Sequence, residues 1–167
     1  VHNSGWVQCP GQKQVTDTTL FPVYEKYVKD IISSFKDDRR IIAWDLYNEP
    51  GNSGHGNETL PLLKNVFTWA REIRPSQPLT AAVWSLSDKY SELNEYQIAN
   101  SDVVTFHNYE DMESMEAEID SLRLFKKPLI CTEYMRRPVS NFTTHLPILH
   151  KENIGAYNWG LVSGKTQ

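Results

Sequence analysis

Two glutamates occupy the positions in this chain best suited to chemistry. Ile41-Ile42-Ala43-Trp44-Asp45-Leu46-Tyr47 is an apolar, β-prone run that stops abruptly on Asn48-Glu49-Pro50. Pro128-Leu129-Ile130-Cys131-Thr132-Glu133 repeats the arrangement later. A buried parallel strand hands a charged side chain to a site at its carboxyl end in this way. Two such carboxylates facing one another are the equipment for breaking a glycosidic bond. One protonates the leaving oxygen, and the other attacks the anomeric carbon or activates water. The remaining apolar runs end on Trp84, on His107 with Tyr109, and on Trp159. Exposed aromatics at strand ends suit stacking on the C–H faces of sugars.

The elements that must position these residues alternate along the chain. Residues 20–35 space Leu20, Tyr24, Tyr27, Val28, Ile31, Ile32 and Phe35 as one face of a helix, with Asp17 or Thr18 as its cap. Residues 41–47 form a strand. Thr59 is placed to cap a second helix, with Pro61 in its first turn and Leu63, Val66, Phe67, Ala70 and Ile73 inward. Arg74-Pro75 ends it. Strands at 79–84, 103–107, 129–133 and 155–159 are separated by helices near 91–99, 113–125 and 142–152. Met115, Ile119 and Leu122 face inward on the second of these.

Near-continuous apolar strands alternating with helices argue an α/β fold with a parallel, helix-covered sheet. An open doubly wound sheet and a closed (β/α)8 TIM barrel both meet that description. No glycine-rich phosphate loop follows any strand, which disfavours the nucleotide-binding version. A barrel gathers all strand ends at one face, where its active site lies, and is the expected architecture. Residues 1–167 read as one partial barrel domain of about five βα units, against the eight a barrel requires. Two open edges would then remain, so self-association or a missing N-terminal barrel segment is the expected partner.

The net charge is −4, and no Lys/Arg run is long enough to track a phosphate backbone, so nucleic acid is not an expected partner. No stretch approaches about 20 apolar residues, so no membrane span is expected. Cys131 lies in an apolar run and reads as a small buried hydrophobe, with a disulfide to Cys9 the lesser alternative. No His/Cys/Asp cluster has metal-ligand spacing, and no cofactor or metal is implied. Trp69 reads as core, His55 as a free loop tip, and Arg136-Arg137 as a solvated loop.

The motifs resemble those of clan A glycoside hydrolases, the cellulase-like family 5 in particular. Trp44-Asp45-Leu46-Tyr47-Asn48-Glu49-Pro50-Gly51 resembles the fourth-strand motif of that clan, and Cys131-Thr132-Glu133-Tyr134-Met135 the seventh. Phe106-His107-Asn108-Tyr109 is similar to the sixth-strand His-x-Tyr. Tyr157-Asn158-Trp159-Gly160 is similar to the eighth-strand segment whose Trp floors the sugar site. The resemblance implies a chain carrying strands 4 to 8 of the barrel. Glu49 would be the acid/base, Glu133 the nucleophile, and Asn48 a ligand of the sugar 2-hydroxyl. Trp84, His107, Tyr109 and Trp159 would border the sugar. The Arg usual on the clan's second strand and the His near its third have no assignable counterpart.

The implied activity is a retaining β-glycoside hydrolase acting on plant-type polysaccharide or oligosaccharide. The alternative is an inactive fragment or carbohydrate-binding relic of one. Secretion or a periplasmic location is expected if the substrate is polysaccharide. Tyr109 is placed to donate to ionised Glu133, and Trp84 to favour the protonated form of Glu49. Strict alternation sets Asn48 and Glu49 on opposite faces. Bringing both to one site implies a bulge or twist at the strand end.

Overall fold

The computed structural model describes residues 9–158. The chain divides into two compact units, one within Gln8–Val103 and one within Val104–Gln167, and each is described by itself.

In the first unit, Asp17 accepts a hydrogen bond from the Thr19 N–H at 3.0 Å and starts a short 3-10 turn that leads into helix α1, Phe21–Phe35. Strand β1, Trp44–Asp45, pairs in parallel with strand β2, Leu79–Thr80, in the register Trp44 to Leu79 and Asp45 to Thr80. Helix α2, Leu60–Ile73, lies between them in sequence, and helix α3, Ser91–Asn100, follows β2. These are two consecutive strand–helix repeats.

Helix α2 is the core of this unit because both its flanks are apolar. Leu63, Phe67 and Ala70 pack with Ile32, Leu79, Ala81 and Leu93. Leu62, Val66 and Trp69 pack with Val15, Phe21 and Tyr24. Arg74 ends the helix in the left-handed region at φ 54°, where Pro75 prevents continuation. Thr59 holds the N-cap position, as expected, but its side chain makes no capping bond. Its backbone is already helical, and its hydroxyl donates to the Gly56 carbonyl at 2.8 Å.

Helix α1 differs from expectation. Of the seven apolar residues at helical spacing, only Ile32 is buried, and Tyr27, Ile31 and Phe35 are exposed. The cause is that α1 has two apolar stripes. Phe21, Tyr24, Val28 and Ile32 face α2, while Val23, Tyr27, Ile31 and Phe35 follow one another at i, i+4 on the other side. Gln77 ties the end of α1 to the sheet. Its amide donates to the carbonyls of Phe35 at 3.1 Å and Asp38 at 2.8 Å, and its oxygen accepts from Nε1 of Trp44 at 3.1 Å.

In the second unit, strand β3, Val104–His107, pairs in parallel with β4, Leu129–Glu133, which pairs in parallel with β5, Gly155–Ala156. Helix α4, Met112–Arg123, connects the first pair and buries Met115, Ile119 and Leu122. Asp111 caps it, accepting from the Ser114 N–H at 3.0 Å. Helix α5, His145–Lys151, connects the second pair and buries His145 and Leu149.

The strand–helix alternation is therefore as expected, but four strands are shorter than their apolar runs. In the runs 41–47 and 79–84 the ladder is two residues long. Residue 159 of the last run, the expected Trp159, lies outside the described residues. Cys131 is buried and Cys9 exposed, and both are free thiols, which removes the disulfide alternative.

Candidate active site

The first unit positions Asn48, Glu49 and Trp84. The last ladder bond of β1 runs from the Leu46 N–H to the Thr80 carbonyl at 2.8 Å, after which the chain leaves the sheet. Glu49 adopts φ 47°, a left-handed conformation unfavourable for a residue with a Cβ, and Gly51 follows at φ 93°. The Asn52 N–H closes this turn on the Glu49 carbonyl at 3.0 Å, and the Asn52 side-chain amide donates to Glu49 Oε2 at 2.6 Å. The expected twist at the strand end thus takes the form of a positive φ at Glu49 itself. Asn48 is exposed and Glu49 half-buried.

The loop after Glu49 is seated on α3. A Cβ at Gly51 would lie 2.7 Å from Cδ2 of Leu93, so a larger residue there would have to displace that buried side chain. Gly56 approaches the Tyr90 ring, which in turn packs on Trp84 with centroids 5.2 Å apart. Trp84 is half-buried, one side on Tyr90. His55 is not a free tip. Its ring nitrogens meet Glu58 at 3.1 Å and Gln12 at 2.7 Å, which ties this loop to the start of the described chain.

The second unit brings together Glu133, His107 and Tyr109. A β-bulge makes this possible. Phe106 pairs with Cys131, and the next partners are His107 and Glu133, so Thr132 is an extra residue on β4. That slip sets Glu133 beside His107. Nε2 of buried His107 lies 3.6 Å from Glu133 Oε1, and the Tyr109 hydroxyl donates to Glu133 Oε2. His107 and Tyr109 share a side of their strand, as alternation requires.

Three further residues hold this group, and sequence reasoning missed their roles. The Asn108 N–H donates to the Glu133 carbonyl at 3.0 Å. Arg136 is exposed, as a solvated loop residue would be, but its side chain is engaged. Its Nε donates to the Tyr109 carbonyl at 3.1 Å, and its guanidinium pairs with Glu110 at 2.8 Å. Glu118, on α4, accepts from the Asn108 amide at 2.7 Å, and burial pushes its carboxyl up to about 7. The only sequence signals were Arg136's nearness to Glu133 and Glu118's place one residue before inward-facing Ile119. The Cys131 thiol is raised to about 12, mostly by burial and then by the charges of Glu118 and Glu133, so it is no nucleophile at neutral pH.

Comparison with known proteins places this geometry in a family. Residues 7–154 match the Glycosyl hydrolases family 2, TIM barrel domain. The chain is similar to a beta-glucuronidase of Paenibacillus borealis, 24% identical over 132 residues, covering 75% of this chain and 22% of that protein. It is similar to a probable mannan endo-1,4-beta-mannosidase C of Aspergillus terreus (strain NIH 2624 / FGSC A1156), 23% identical over 145 residues, covering 66% of this chain and 36% of that one. Among solved structures it is similar to a glycosylated endo-beta-1,4-xylanase of glycoside hydrolase family 10 from Gloeophyllum trabeum. That match has a TM-score of 0.63 at 16% identity and covers 95% of this chain and 62% of the xylanase.

The chain thus spans between a fifth and two fifths of the curated relatives it matches. Its fold is that of the (β/α)8 barrel, of which the five parallel strands supply about five units. The clan A resemblance holds; the family whose model matches is family 2, and the comparisons do not bear on the leaning of the motifs towards the cellulase-like family 5. With 148 of its 167 residues inside the match, the chain belongs to the TIM-barrel domain family of the family 2 glycosyl hydrolases.

Proposed function

We propose that this chain carries the carboxylate chemistry of a retaining β-glycoside hydrolase acting on polysaccharide or oligosaccharide. Glu133 is the nucleophile and Glu49 the acid/base. One observation carries the reading above all: a strand-end carboxylate, Glu133, holds a tyrosine hydroxyl on one oxygen and a buried histidine near the other. The family match and the relatives' names, glucuronidase, mannosidase and xylanase, support the same class.

In the first step Glu133 attacks the anomeric carbon, the glycosidic C–O bond breaks, and Glu49 gives its proton to the departing oxygen. In the second, Glu49 takes a proton from water, whose oxygen attacks the anomeric carbon and releases Glu133. The Tyr109 hydroxyl donates to Oε2 of Glu133 and so orients the carboxylate for attack. Asn48, Trp84, His107 and Trp159 are assigned to sugar binding. No cofactor takes part. A secreted or periplasmic location suits such a substrate.

An exposed apolar stripe on α1 supports a second element of the proposal, that a further barrel segment or another copy of the chain covers it.

The test is covalent trapping. The 167-residue protein is incubated with 2-deoxy-2-fluoro β-xyloside, β-mannoside and β-glucuronide bearing a good leaving group, then digested and weighed. A fluoroglycosyl ester on Glu133 is expected. An ester on another carboxylate, or hydrolysis of an aryl glycoside with an inverted product, would overturn the assignment.

A further inference from the structure

We infer that Glu118 is a positioning residue for the Glu133 site, acting through Asn108 to hold the strand end that carries His107 and Tyr109. The role rests on the reading of Glu133 as the reacting carboxylate, but its physical basis is independent of any activity.

Asn108 sits between the two residues that face Glu133. By alternation its own side chain points the other way, towards α4. There it is held at three points. Its Nδ2 donates to Glu118 Oε2 at 2.7 Å and reaches Ser114 Oγ at 3.2 Å, and its Oδ1 accepts from the Glu110 N–H at 3.0 Å. Its backbone N–H meanwhile bonds the Glu133 carbonyl. A shift of the Asn108 side chain therefore moves the peptides on either side of it, and with them His107 and Tyr109. The bulge at Thr132 interrupts the ladder at this point, so the strand end needs support from outside the sheet. Helix α4 supplies it through Glu118.

Glu118 also changes charge near neutral pH. Burial raises its carboxyl to about 7 against the bond from Asn108 and the field of His107, which lower it. From β3 the titratable group acting on it is His107. From β4 it is Cys131, whose thiol feels both Glu118 and Glu133. On α4 itself the positions three and four residues away, Ser114, Met115, Ser121 and Leu122, are uncharged. On α5, His145 is committed to Thr144 at 2.8 Å and to the Glu110 carbonyl at 3.0 Å. Ionised Glu118 makes a charge-assisted, shorter bond to Asn108 and favours protonated His107, and neutral Glu118 relaxes both.

The experiment follows the Asn108 side-chain and backbone amides, the His107 ring nitrogens and the Tyr109 ring by NMR between pH 4.5 and 8.5. Wild type is compared with Glu118→Gln and Glu118→Ala. Gln keeps an acceptor for Asn108 and cannot titrate. In wild type the Asn108 amides and the Tyr109 ring are expected to share the midpoint of the Glu118 carboxyl carbon. In Glu118→Gln that inflection disappears from the Asn108 and Tyr109 signals. In Glu118→Ala the Tyr109 and His107 signals move at every pH. An inflection that persists in Glu118→Gln, or Tyr109 signals indifferent to both substitutions, would overturn the inference. Should the variants fail to fold, wild type alone decides, because different midpoints for Glu118 and Asn108 refute the coupling.

A parallel aryl β-glycoside assay separates the two readings. Glu118→Ala is expected to lower kcat about tenfold with KM within about twofold, and Glu118→Gln to restore it. No turnover by wild type under any condition counts against the glycosidase assignment, while the NMR titration still settles the positioning role.

Discussion

The Tyr109 hydroxyl donates its hydrogen bond to Oε2 of Glu133, across the strand ends of β3 and β4. The Tyr109 backbone is fixed independently, by Arg136 and by the Ser140 hydroxyl on its carbonyl. The backbone that carries the tyrosine is thus anchored apart from its contact with Glu133.

Tyr109→Phe removes one charge-assisted hydrogen bond and leaves the ring in place. Such a bond contributes about 1.5–3 kcal/mol. Glycosylation of Glu133 by the fluoroglycoside is expected to slow by about 10- to 100-fold, read as the rate of appearance of the labelled peptide. An unchanged rate would remove Tyr109 from the mechanism.

Stability should depend on pH through Glu118. Its folded value, about 7, lies above its ordinary 4.5, so the folded state binds the extra proton between those values. Stability is fully present below about pH 4.5 and is lost as pH rises to 7, by on the order of 2–3 kcal/mol. Urea midpoints at pH 5 and pH 7.5 should show this fall for wild type and a smaller one for Glu118→Gln. Equal falls in the two proteins would mean that another group is responsible.

The turn at Glu49 stores strain. A non-glycine residue at φ 47° costs about 1–2 kcal/mol, so Glu49→Gly is expected to raise the thermal midpoint while abolishing proton donation. Gly51→Ala should do the reverse, lowering stability by about 2 kcal/mol or more, because φ 93° and the contact with Leu93 both oppose a Cβ. Calorimetry of the two variants side by side gives both signs.

The outer stripe of α1 should drive association. Val23 and Tyr27 are 62% and 67% exposed, with Ile31 and Phe35 continuing the row. At micromolar concentration the wild-type protein is expected to sediment faster than a monomer, and Tyr27→Gln with Ile31→Gln to slow it. A monomeric wild type would show that the stripe is tolerated in water.

Sequence by itself determined the class of fold, the order of its elements and the identity of the strand-end carboxylates. Those are properties of local pattern: an apolar run with a polar end, a 3.6-residue period, and a proline that stops a helix. His107 and Glu133 end the neighbouring strands β3 and β4, with Tyr109 two residues past His107, which is why pattern pointed to them together; Glu49 follows the end of its own apolar run. Tertiary structure decided what pattern leaves open. The period of α1 fits either of two apolar stripes, and only packing against Phe67 and Trp69 chose between them. The turn that presents Glu49 depends on a backbone angle unrelated to hydrophobicity. The bulge at Thr132, which sets Glu133 beside His107, is a register between segments far apart in the chain. Arg136 and Glu118 acquire roles from the groups they reach, Glu110 and Asn108, and burial raises Glu118 from an ordinary surface acid to one that titrates near neutrality. Partners and dielectric are set by the assembled fold, so a single stretch of sequence carries neither.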